Sequence, residues 1–87
     1  MPYELPLPNA FKRWKVKILD NELLFEEPHV TIVFKKELWR FGLRSRTFLD
    51  EDPEPGKVPR GVMDLIRSNL NMLCDQWDLR FPTNPSR

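Results

Sequence analysis

Along residues 11 to 19, "FKRWKVKIL", apolar and basic side chains alternate: Trp14, Val16 and Ile18 fall on one side, Arg13, Lys15 and Lys17 on the other. A period of two is the signature of a half-buried β-strand. The same alternation returns in "HVTIVFKK", where Val30, Ile32 and Phe34 oppose His29, Thr31, Val33 and Lys35, and its β-branched residues suit a pleated surface. It returns again in "LWRFGLRSRTFL", with Trp39, Phe41 and Leu43 opposed to Arg40, Arg44 and Arg46. Between the first two runs, "DNELLFEEP" breaks the pattern, although Leu23 to Phe25 could add a short strand. From residue 59 the period changes. Val62, Leu65, Ile66, Leu70, Leu73 and Trp77 recur at spacings of three and four, which predicts one amphipathic helix about 30 Å long opened by Pro59.

These elements predict an α+β fold: an antiparallel meander of three strands, or four, with its apolar face packed against the C-terminal helix. Residues 1–10, with Pro2, Pro6 and Pro8, read as an extended arm lying on the domain or partly disordered; residues 11–82 form the single domain; residues 83–87 form a polar tail. The run "DEDPEPGK" reads as a solvated loop, since four acids, two prolines and a glycine cannot bury surface.

Length adds a limit. A chain of 87 residues can support one small core and leaves little room for an enclosed substrate cavity. The single cysteine, Cys74, cannot form an internal bridge and reads as a small apolar filler. With no basic start and no apolar run at the N-terminus, the expected setting is reducing and cytoplasmic. No stretch approaches the roughly 20 apolar residues of a membrane span, so no membrane association is expected.

The net charge of +1 is unevenly spread: residues 11–46 carry +4, residues 47–56 carry −4 and residues 57–87 carry +2. If the three strands are neighbours, the open face of the sheet gathers Arg13, Lys15, Lys17, Lys35, Arg40, Arg44 and Arg46, with His29 and Thr31 at one end. That face would attract an anion: RNA, an acidic protein or the chain's own "DEDPE" segment. Against RNA stands the expected burial of Trp14, Trp39 and Phe41, which removes aromatic stacking partners from the charged face. An exposed edge strand offers a second route to a partner, or to a homodimer, through β-augmentation.

His29 is the only histidine. As a general base on a ribose hydroxyl, with Arg44 and Arg46 stabilising the phosphate and Glu26 or Glu27 orienting it, it would make a metal-independent endoribonuclease. The competing reading is a residue that opens a strand and bonds a loop carbonyl. Ligands at metal-binding spacing do not occur, so neither a metal nor a cofactor is expected.

Taken together, "EPHVTIVF", "LWRFGL", "PGKVPRG" and "LCDQWDLR" resemble segments of the small prokaryotic domain of unknown function 4160 family, over about residues 28 to 82. The resemblance implies a compact α+β protein encoded beside another small protein and acting in a toxin-antitoxin-like pair. The family's strand commonly begins with two prolines and a histidine, followed after one apolar residue by a second histidine. Here Glu27 and Thr31 replace the first proline and the second histidine, so any function of a histidine pair is absent. The leading expectation is therefore an interaction component that binds an acidic partner protein or RNA through a basic sheet face, with the ribonuclease toxin as the alternative.

Overall fold

The computed structural model of the chain describes residues 2–20 and 26–87. Four strands, β1 (Tyr3–Glu4), β2 (Trp14–Ile18), β3 (His29–Phe34) and β4 (Glu37–Gly42), form one antiparallel sheet in the order β1-β2-β3-β4. Two helices, α1 (Arg60–Ser68) and α2 (Leu70–Arg80), follow. The fold is α+β, with the C-terminal helices on the sheet. The register places Trp14 opposite Phe34, Val16 opposite Ile32, and Ile32 opposite Trp39. Every alternate residue of β2, β3 and β4 thus turns its apolar side to the same face. There Val16, Ile18, Val30, Ile32, Trp39 and Phe41 are buried against Val62, Met63, Ile66, Leu73, Cys74 and Trp77 of the helices.

The fourth strand comes from the proline-rich arm. Tyr3 pairs with Ile18 and Glu4 with Lys17, and the Leu5 amide donates to the Val16 carbonyl at 2.8 Å. Pro2 and Pro6, which lack backbone donors, flank the stretch that joins the ladder, and β1 is two residues long. The expected strand at Leu23 to Phe25 lies outside the described residues.

The single long helix of the sequence pattern is a correction. It is broken at Asn69, whose backbone leaves the helical region (φ −111°, ψ 20°) while its side-chain Nδ2 donates to the Leu65 carbonyl at 2.8 Å. Asparagine is suited to such a break because its amide competes for backbone carbonyls, and here it shares the Leu65 carbonyl with the Asn69 backbone amide at 3.1 Å. The apolar stripe nevertheless continues across the break.

The last residues are also docked. Ser86 is buried, with its amide donating to Asp78 Oδ1 at 2.7 Å and its hydroxyl to the Cys74 carbonyl at 3.3 Å, and Arg87 reaches Asp75 at 3.1 Å. The segment read as a polar tail is polar, but it is fastened along α2.

Gly61 shows why the opposite flank closes tightly. The ring of Phe11, carried on a short 3-10 turn, lies where a β-carbon at position 61 would sit. Only glycine permits that approach of α1 to the aromatic end of the sheet.

Candidate anion-binding surface

Phe34 and Glu37 are the last paired residues of β3 and β4, leaving Lys35 and Lys36 as a two-residue hairpin loop. Because β2 runs antiparallel to β3 and Trp14 stands opposite Phe34, the turn residues Lys12 and Arg13 come to the same end of the sheet. Lys15 follows on β2. All five cations are exposed, and among the described residues none makes an ion pair with a carboxylate. The neighbouring carboxylate, Glu37, is taken by Lys57 at 3.2 Å.

Two further features mark this end. Lys35 adopts φ 54°, the left-handed region where a two-residue hairpin ordinarily places glycine or asparagine. A lysine there costs about 1 kcal/mol of backbone strain. Beneath it the Phe34 ring lies 5.3 Å from Lys35 Nζ and stacks on Trp14, with centroids 4.4 Å apart and planes at 24°. Trp14 in turn leans on Trp39 at 5.4 Å, and Trp39 is fixed by its Nε1 donating to the Glu54 carbonyl at 3.1 Å. Trp14 and Phe34 remain partly open to solvent where the helical cover ends.

The other expected anion-binding residues are distributed differently. Lys17 is half-buried opposite Glu4. Arg40 grips Asp50 through two bonds, Nε to Oδ2 at 2.8 Å and Nη2 to Oδ1 at 2.7 Å, with Glu26 at 3.6 Å from Nη1. The hydrogen bonds from Arg40 pull the Asp50 carboxyl below its ordinary value, against a smaller opposing effect of burial. The first acid of the "DEDPE" segment is thus the anion that Arg40 binds.

Arg44 and Arg46 are a correction to the expected sheet face. β4 ends at Gly42, where the amide donates to the Thr47 carbonyl at 2.8 Å and the carbonyl accepts from Arg46 at 3.0 Å, so the chain turns out of the sheet. Arg44 donates to the Pro85 carbonyl, and Arg46 takes φ 60°. Both line a cavity of about 190 Å³ with Asn71, Cys74, Ser86 and Arg87. Arg13 and Lys35 also lie outside the strands, in turns, although they stay at the sheet's hairpin end.

His29 does not stand at the mouth of an open face. It is 1% exposed, its Nδ1 lies 2.7 Å from the Glu27 carbonyl oxygen, and its ring packs 5.4 Å from that of Trp77. The crossing C-terminal segment seals this end of β3: Asn84 donates to the Glu26 carbonyl at 2.7 Å and accepts from Trp77 Nε1 at 2.8 Å. His29 is not among the residues that line the cavity beside Arg44 and Arg46. Thr31 is buried too, flanked in the ladder by the long side chains of Lys17 and Arg40.

The remainder of the open face is mixed in character. A cleft of about 330 Å³ is lined by Leu19, Thr31, Leu38, Arg40 and Asp50, and Leu38 is 55% exposed. The outer edge of β4 is occupied from Arg40 to Gly42, where Leu49 donates to the Arg40 carbonyl at 2.9 Å and Phe48 bridges to Phe41. Strand addition is closed over that stretch, and the other edge, β1, is only two residues long. Among the described residues no cluster of histidine, cysteine and carboxylate groups has the arrangement to hold a metal ion, and no helix is long and apolar enough to cross a membrane.

Residue-by-residue parity missed Lys12 and Lys36. Their signal was present in the two short runs "FKRW" and "FKKE": once the strands pair antiparallel, both pairs of cations must fall at one end. Comparisons of the chain with protein-family models, with curated proteins and with solved structures find no match.

Proposed function

We propose that this chain is a non-catalytic binding component, one partner of a two-protein module, that takes a polyanionic ligand at the hairpin end of its sheet. The observation that carries this reading is the set Lys12, Arg13, Lys15, Lys35 and Lys36, exposed and without an acidic partner among the described residues. Cations held together without counter-charge repel one another, and an incoming polyanion relieves that repulsion while releasing its own counterions. The strained backbone at Lys35 adds support, since a charge kept at a conformational cost points to a use for it. The pairing with a second small protein is supported by the family resemblance alone.

Catalysis is the weaker reading. A general base must come within hydrogen-bond reach of the proton it removes, and His29 is covered and directed at Glu27 and Trp77. A test compares binding of heparin, a polyanion without bases, to the parent chain and to two charge reversals. Lys35→Glu with Lys36→Glu is expected to weaken binding at least ten-fold; Arg44→Glu, outside the hairpin end, is expected to change it little. Equal loss in both variants would remove the hairpin end as the site.

A further inference from the structure

We infer that the polyanion is a single-stranded nucleic acid, whose bases stack on Trp14 and Phe34 while its phosphates meet the surrounding lysines. This inference rests on the reading of the same end as a polyanion site and goes further by naming the ligand's chemistry.

The inner face of β2, β3 and β4 is otherwise sealed: Val16, Val30 and Ile32 are 0% exposed, and Trp39 and Phe41 only 1% and 2%. The exceptions are Trp14 and Phe34, partly exposed and already stacked at 4.4 Å. An aromatic pair left open at the end of the sheet that carries the cations, with Lys35 Nζ 5.3 Å from the Phe34 ring, serves a ligand that carries both flat rings and regularly spaced negative charge. An acidic peptide supplies the charge and leaves the rings unused. A duplex supplies both but keeps its base faces stacked internally, so they cannot reach the ring of Trp14. The platform is also preformed. Phe34 stacks on Trp14 with centroids 4.4 Å apart and Trp39 leans on Trp14 at 5.4 Å, so little side-chain ordering remains for binding to impose.

Trp14 makes the test direct. The other two tryptophans, Trp39 and Trp77, are 1% and 0% exposed, so contact quenching by a bound base reports on Trp14. The intact chain would be titrated at low salt with a short oligouridylate, with the same sequence in a duplex, and with polyglutamate, following tryptophan emission. The expected result is that the single strand binds and quenches, the duplex binds more weakly, and polyglutamate binds without quenching. Trp14→Leu should weaken the oligouridylate by about ten-fold and remove the quench. Lys35→Glu with Lys36→Glu, confined to an exposed turn, should weaken both single strand and polyglutamate while leaving the quench at saturation unchanged. Oligouridylate binding without quenching, and equally tight to Trp14→Leu, would overturn the stacking inference and leave an acidic protein as the ligand. Absence of binding to any of these polyanions would overturn the polyanion reading with it.

Discussion

Where β3 turns into β4, Lys12, Arg13, Lys15, Lys35 and Lys36 face water with no carboxylate partner among the described residues, whereas away from that end Arg80 is held by Asp20 at 3.1 Å, Arg40 by Asp50 and Glu26, and, along α2, Arg87 by Asp75 and Asp78. The residue types sort in the same way. Arg40, Arg80 and Arg87, with their planar forks, grip carboxylates in a fixed geometry, whereas four of the five cations at the hairpin end that have no acidic partner among the described residues are lysines, which act as mobile point charges. One end uses its charges to fasten chain segments together and the other keeps them available. Charge summed along the sequence is therefore a poor measure of charge offered to a ligand.

The largest expected effect breaks the fastened end. Trp77 packs on His29 and Phe81 and donates to Asn84, so Trp77→Ala should cost about 3–5 kcal/mol in urea denaturation, because a large buried ring is lost together with the anchor of the C-terminal segment. Next comes the aromatic support of the available end. Gly61→Ala would drive a methyl group into the Phe11 ring, and a destabilisation of about 1–3 kcal/mol is expected, read from the shift in denaturation midpoint. Lys35→Gly should move stability the opposite way. Relief of the left-handed backbone should raise stability by about 1 kcal/mol while polyanion affinity falls, a divergence that separates a functional lysine from a merely tolerated one.

The smallest effect concerns pH. The Asp50 carboxyl lies below its ordinary value of 3.8, chiefly through hydrogen bonds from Arg40, so its contribution is present in full above that unfolded value and is lost as pH falls through the lower folded value. Both side chains are about one-third exposed, which limits the contribution to about 1 kcal/mol or less. Asp50→Asn should therefore lower stability slightly at neutral pH and flatten its acid limb. An unchanged denaturation curve between pH 5 and 2 would show that the pair contributes nothing.

Much of the fold is legible in the sequence, because alternation in β2, β3 and β4 and the three-four spacing of Val62, Ile66, Leu73 and Trp77 are direct consequences of which face is buried. The pairing of Tyr3 and Glu4 left no such trace, since a strand of two residues carries no period. The break at Asn69 is the departure of one residue from helical angles, which periodicity does not register. The candidate site was legible in part. Arg13, Lys15 and Lys35 were found, but Arg44 and Arg46 continued the alternation past the point where the backbone turns at Gly42, and His29 gave no sign of the Asn84 and Trp77 cover that reaches it from far along the chain. Long-range closure of this kind is invisible to local pattern.

The most direct measurement is the slope of log affinity against log salt for oligouridylate. Neutralising Lys35 and Lys36 together as glutamines should reduce the magnitude of that slope by roughly 1.4, about 0.7 for each phosphate contact removed from a single strand. Neutralising Arg80 and Arg87 at the fastened end should leave it unchanged. A slope indifferent to the lysines, or one that falls with the arginines instead, would contradict the division of the molecule into an end that holds itself together and an end that binds.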